Sequence, residues 1–169
     1  MSALPGTQIL IGLGSGAAPT QYLPQAIRWL RERFGEVRLS TFYRTRPMGD
    51  PRQAPYVNGA ALALTTLSLA DTRAALRAIE AQCGRVRDPR GRPAAPTVDL
   101  DLLAMGSQVL ANEDLPAAEL LERDFCLIPA AELLPDWIHP GVGRTLRQLA
   151  AERFPRPTHI LGPVDVPVI

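Results

Sequence analysis

The sequence predicts an α+β sandwich, with one antiparallel or mixed sheet and helices packed on it. Segments rich in β-forming residues alternate with amphipathic helical stretches, which is the first observation behind that prediction. Several connections are hairpin-length rather than helical crossovers, which disfavours a parallel doubly wound sheet. The glycine turn Gly12-Leu13-Gly14-Ser15-Gly16 lacks a third glycine at dinucleotide-binding spacing, and no acid follows a second strand where a ribose would need it.

The elements follow in order. Thr7 to Gly14 is a short apolar run ending in glycines and reads as a strand. Thr20 to Phe34 carries Leu23, Ile27, Leu30 and Phe34 at helical spacing, with Thr20 as N-cap. Val37 to Tyr43 alternates and reads as a second strand. Arg46 to Pro55 is dense in proline and glycine and reads as a loop. Tyr56 to Thr66 reads as a strand, and a helix capped by Ser68 or Asp71 runs to about Cys83, with Leu76 and Ile79 on one face. Asp88 to Pro96 is a second proline- and arginine-rich loop, followed by a strand over Thr97–Met105. Ala117–Glu122, Ala130–Leu134 and Thr145–Phe154 read as helices, while Arg123–Pro129 takes no clear assignment. The tail from Pro155 holds four prolines and reads as irregular over 156–169. No repeat or linker interrupts the chain, so residues 1–169 are expected to form a single domain.

Composition narrows the function classes. A formal net charge of +1 leaves no electrostatic footprint for nucleic acid or a membrane surface. All 18 basic residues are arginine, so phosphate recognition must use guanidinium forks and no lysine chemistry is available. Cys83 and Cys126 are isolated among apolar or small neighbours and read as small core residues of a reducing compartment. With no signal-peptide pattern and no long apolar span, a cytoplasmic protein is expected.

The chemistry centres on Thr97-Val98-Asp99-Leu100-Asp101-Leu102-Leu103. Residues two apart on a strand share a face, so Asp99 and Asp101 point together while Val98, Leu100 and Leu102 point into apolar surroundings. Paired carboxylates persist most easily around a positive charge, and Mg2+ is usually held by one or two carboxylates plus phosphates. A bare Asp-X-Asp also suits a solvated edge strand, so the neighbouring segments carry the decision. Thr45-Arg46-Pro47-Met48-Gly49 and Pro55-Tyr56-Val57-Asn58 deliver an aromatic plate and an amide, which suit a flat heterocycle with hydrogen-bonding edges. Gly84-Arg85-Val86-Arg87 supplies arginines beside the acid pair, which suit a polyphosphate.

Together these segments resemble the 6-hydroxymethyl-7,8-dihydropterin pyrophosphokinase family. The matching series also includes Phe42-Tyr43-Arg44-Thr45 and Arg123-Asp124-Phe125 before Leu127-Ile128-Pro129. The resemblance implies a ferredoxin-like α+β sandwich that transfers pyrophosphate from ATP to the pterin hydroxymethyl group and releases AMP. It implies Asp99 and Asp101 as catalytic ligands of two Mg2+ ions, with Arg85 also catalytic. It implies Tyr56 and Phe125 on either side of the pterin, Asn58 and Thr45 on its edge, and Met48 in the pocket. Glu80, Arg87, Arg90, Arg92, Leu102 and Arg123 are implied at the nucleotide. ATP and a pterin are the implied small-molecule partners, with no nucleic acid or membrane partner and a monomeric chain.

Two alternatives stay open at this point: a divergent paralogue acting on a related pterin, and a pterin-binding protein without turnover. The departures from the family pattern lie on the nucleotide side. Gly16 stands where the family usually has asparagine, Pro96 where an arginine is expected, and no histidine follows Pro116. Weaker ATP affinity is therefore expected, with Arg90 and Arg92 as substitute contacts from a loop that closes over ATP together with Arg46–Pro55. Neither His139 nor His159 receives a role.

Overall fold

A computed structural model describes residues 5–86, 90 and 97–168. Its first strand, β1 (Thr7–Ser15), pairs antiparallel with β4 (Tyr56–Thr65) on one side and β5 (Asp99–Met105) on the other. Between β1 and β4 come α1 (Pro19–Phe34), β2 (Arg38–Leu39) and β3 (Phe42–Thr45). Helix α2 (Leu69–Gln82) connects β4 to β5. Beyond β5 lie α3 (Glu119–Glu122), α4 (Asp124–Leu133), the small hairpin β6 (Ile138–His139) and β7 (Arg144–Thr145), α5 (Leu146–Arg153), and β8 (Ile160–Val164). The main sheet runs β5-β1-β4-β3-β8 with β2 also on β4, and its pairings are antiparallel.

The sheet is covered on both faces. Ile9, Ile11 and Leu13 of β1 pack with Leu100 and Leu102 of β5 against Leu23, Ile27 and Leu30 of α1 and Leu76 and Ile79 of α2. Leu10, Leu62, Leu103 and Ala104 face the other way, against Leu120, Leu127, Leu133, Leu146 and Leu149. Strict alternation would put Leu103 and Ala104 on opposite faces. A register shift between Leu10 and Ile11 of β1 accommodates both on the same side.

The α+β class and the order of the main elements agree with the sequence reading, and five local expectations are corrected. Helix α1 starts at Pro19, behind Ala18 with φ 42°, so Thr20 is not its cap. Proline suits the first helical position because it has the right φ and no orphan N–H to satisfy. Val37–Tyr43 is not one strand: Ser40 Oγ accepts from Ala60 N at 2.8 Å and donates to Thr41 O at 2.7 Å, separating β2 from β3. The helix expected over Ala117–Glu122 shortens to Glu119–Glu122. Arg123–Pro129 and Ala130–Leu134 instead merge into α4 across an internal Pro129. The expected irregular tail contains β8, in register with β3 through Phe42↔Val164 and Thr45↔Ile160. Its Pro163 is tolerated because β8 lies at a sheet edge. The sequence signal for α5 does hold: Thr145 and Gln148 form a capping box.

Candidate active site

The cavity follows from two glycines. Gly12 and Gly14 occupy alternate positions of β1 and leave a bare floor on the α4 face of the sheet. A Cβ at Gly14 would lie 2.7 Å from Asn58 Oδ1. Around this floor stand Thr45, Arg46 and Met48 at the end of β3, Tyr56 and Asn58 on β4, Asp99, Asp101 and Leu103 on β5, and Glu119, Phe125 and Cys126 from α3 and α4. They enclose a cavity of about 290 Å³, at the lower end of small-molecule sites.

One wall is apolar and amide-bearing. Asn58 Nδ2 donates to Thr45 Oγ1 at 2.7 Å, and Thr45 is buried, so the amide is held in one orientation. The Tyr56 ring lies over Gly16, where a Cβ would come within 2.6 Å of Tyr56 Cε1. The space an asparagine would fill at position 16 is thus taken by the ring. Gly14→Ala is expected to push Asn58 off Thr45 and raise the KM for a heterocyclic substrate about tenfold, because leaving a half-buried amide without its partner costs about 1–3 kcal/mol. Steady-state kinetics checks this, and an unchanged KM removes Asn58 from the recognition edge.

The opposite wall is acidic. Arg85 bridges three groups, with one terminal nitrogen 2.5 Å from Asp99 Oδ1, 2.9 Å from Glu80 Oε1 and 3.4 Å from Val98 O. Glu80 Oε1 also accepts from Leu100 N at 2.8 Å, tying α2 to β5. Asp101 opens to the cavity, yet protein lies on most sides of it. That desolvation, with repulsion from Asp99, Glu119 and Glu80, pushes its carboxyl up to about 7. Glu119 is raised by burial, which Arg123 opposes and Asp99 reinforces. Burial, and after it the charges of Glu119, Asp101 and Asp124, push the Cys126 thiol far above its usual range, so it is not a thiolate nucleophile.

The donor set suits a hard divalent cation: acceptor-only oxygens, in excess of the nearby positive charge. No group of three or more His, Cys, Asp or Glu among the described residues is arranged to hold a metal alone. Two carboxylates therefore fit Mg2+ only if other oxygens complete its shell, as phosphates do.

Of the residues expected from sequence, Thr45, Met48, Tyr56, Asn58, Asp99, Asp101 and Phe125 line this cavity, and Arg85 reaches it through Asp99. Glu80 is 3% exposed and serves as an anchor beneath the site. Leu102 faces the α1–α2 core, so only its main chain is available to a nucleotide. Arg123 precedes α4 at its N-cap, beside Glu119. Arg90 is exposed, while Arg87, Arg92 and Pro96 lie outside the described residues. Cys83 is a buried core residue as expected, but Cys126 faces the cavity. Sequence reasoning also missed Glu119 and the pocket-lining position of Arg46. Glu119 had a signal, since it lies one helical turn before Arg123-Asp124-Phe125.

An α+β fold with a planar-ring wall facing an acid pair suits the transfer of a metal-bound phosphate group to a flat substrate. The family model described as 7,8-dihydro-6-hydroxymethylpterin-pyrophosphokinase matches residues 10–135, and the chain belongs to this family. A Pseudomonas aeruginosa 2-amino-4-hydroxy-6-hydroxymethyldihydropteridine pyrophosphokinase is 40% identical over 149 residues, covering 85% of this chain and 90% of the relative. The Synechocystis sp. protein of the same name is 38% identical over 145 residues, covering 83% and 73%. Among solved structures, a wild-type Plasmodium falciparum HPPK-DHPS with pterin and p-hydroxybenzoate superposes with a TM-score of 0.71 at 11% identity. That match covers 92% of this chain but 44% of the longer Plasmodium chain, and it bears on the fold.

Proposed function

We propose that this protein transfers pyrophosphate from ATP to the hydroxymethyl group of 6-hydroxymethyl-7,8-dihydropterin, releasing AMP, as a step of folate biosynthesis. The observation that carries the reading is the convergence of a locked amide, two aromatic rings and an acid pair on one cavity. Tyr56 and Phe125 hold the pterin between them, and Asn58 and Thr45 read its edge. Asp99 and Asp101 would hold two Mg2+ ions, which would supply charge neutralisation at the phosphate oxygens. Arg85 keeps Asp99 in place and, with Arg123, serves the phosphates. The pterin hydroxyl oxygen forms the new bond to the β-phosphorus and releases its proton to solvent, while the bond from that phosphorus to the bridging oxygen breaks and the oxygen leaves with AMP. Such a reaction needs positioning and charge balance more than covalent help from the protein.

No described helix is long and apolar enough to cross a membrane. ATP as co-substrate and two unpaired cysteines support a cytoplasmic setting.

The direct test is incubation with ATP, Mg2+ and the hydroxymethyl-dihydropterin, followed by nucleotide analysis. AMP is the expected product; ADP would point to single-phosphate transfer on a related pterin, and no turnover to a binding protein. Tyr56→Ala is expected to weaken pterin binding about tenfold or more, since stacking on an aromatic ring contributes roughly 1–3 kcal/mol per base in comparable sites. ATP binding should be unchanged. Calorimetry checks both, and an unaltered pterin affinity returns Tyr56 to a purely structural role.

A further inference from the structure

His159 lies beyond the stretch matched by the family model, at the head of the edge strand β8. It nevertheless joins two walls of the cavity. Its main-chain carbonyl accepts from Arg46 N at 2.9 Å, at the start of the segment that carries Met48. Its main-chain N–H donates to Asp124 Oδ2 at 2.8 Å, and Ile160 N reaches the same oxygen at 3.4 Å. Asp124 is fully buried, and its other oxygen accepts from Phe125 N at 2.8 Å and lies 3.4 Å from His159 Nδ1. The imidazole is held in turn by Thr158 Oγ1, 3.1 Å from Nδ1. It meets the Phe125 ring edge-on, with centroids 5.9 Å apart and planes at 80°.

We propose that His159 is a positioning residue that fixes the Phe125 ring for the pterin, through its edge-on contact beside the buried Asp124. Phe125 is half-buried in the first turn of α4. A ring with one open side can swing about its side-chain torsion unless a neighbour blocks it. The imidazole is that neighbour, and T-shaped pairs have a preferred geometry as well as an attraction. The main-chain ties from residue 159 to Asp124 and Arg46 do not depend on its side chain. Replacing the side chain therefore leaves the main-chain anchoring of β8 in place, but it removes the Nδ1 contacts to Asp124 and Thr158 together with the ring contact, and His159→Phe restores the ring alone.

This inference rests on Phe125 contacting the pterin, so Phe125→Ala is measured alongside His159→Ala and His159→Phe, each in the full chain with its melting temperature recorded. His159→Ala is expected to raise the KM for the pterin about fivefold, the scale of one lost aromatic pair, with the KM for ATP unmoved. His159→Phe, which keeps a ring edge, should stay within about twofold of the parent. An unmoved pterin KM in His159→Ala, a parallel rise in both KM values, or no rescue by His159→Phe overturns the proposal. If Phe125→Ala raises the pterin KM and His159→Ala does not, the pterin assignment stands and the positioning role alone fails. If Phe125→Ala has no effect, the pterin assignment fails and the positioning role falls with it.

Discussion

Asp99→Asn and Asp101→Asn are each expected to slow AMP formation about a hundredfold to a thousandfold with the fold intact, because charge stabilisation by a metal site is worth several kcal/mol. Asn keeps the shape and removes one charge. Full activity in both variants would end the two-carboxylate reading. The same substitution at Asp101 should act on stability in the opposite direction. In the metal-free site desolvation, and after it the charges of Asp99, Glu119 and Glu80, push the Asp101 carboxyl up to about 7. An unfolded aspartate releases its proton near pH 4 (roughly 3.9). Between those values the folded chain binds more protons than the unfolded chain. The contribution of Asp101 to the stability of the metal-free protein therefore falls as pH rises through that window. Asp101→Asn removes this slope, so melts in chelator should show a variant that gains on the parent as pH rises from about 4 to 7. A parent protein whose melting temperature is flat over that range would show that the acid cluster is already compensated. An acid pair that weakens the empty protein and is needed for turnover is what a site built for a bound cation requires.

Much of this site was legible because its parts are local. The same-face placement of Asp99 and Asp101 follows from strand geometry alone, and both carboxylates line the cavity. Tyr56 and Asn58 share a face by the same rule. The nonlocal parts were not legible. Strand β8 contains Pro163, and whether proline is tolerated depends on which strand lies beside it, information that no local window contains. The pairing of Asp124 with residues 159 and 160 spans 35 positions or more, so His159 gave no sign of its placement. Pro129 hid α4, since a proline argues against a helix interior when read alone. Glu80 is an instructive middle case. It falls on the apolar stripe of α2 with Leu76, Ile79 and Cys83, and a carboxylate on such a stripe demands partners. That demand was readable; its partners, Leu100 N and Arg85, were not.

Arg85 is expected to show separable effects on stability and turnover. Its guanidinium side chain is 19% exposed and that of Glu80 4%, so their contact at 2.9 Å is shielded from water. Burial by itself would push the Arg85 guanidinium down, but Asp99, Glu80 and Asp101 together hold it above its usual value. Arg85→Ala takes that positive charge from a buried carboxylate, and breaking a buried pair from one side costs about 3–5 kcal/mol. For a chain of this size the loss corresponds to a fall of roughly 6–20 °C in melting temperature. Turnover should fall as well, because Asp99 loses the group that holds it. Glu80→Gln separates the two effects. A neutral amide keeps an acceptor for Leu100 N and no longer needs a guanidinium. The double variant Arg85→Ala with Glu80→Gln is therefore expected to recover more than half of the lost stability and none of the lost activity. A double-mutant cycle in thermal stability, run beside the AMP assay, reads both quantities from the same four proteins. If Arg85→Ala and the double variant melt together, Glu80 does not depend on Arg85 and the anchor beneath the site lies elsewhere. If the double variant regains turnover, the catalytic part of Arg85's role is lost, and its contact with Asp99 becomes a packing feature of β5.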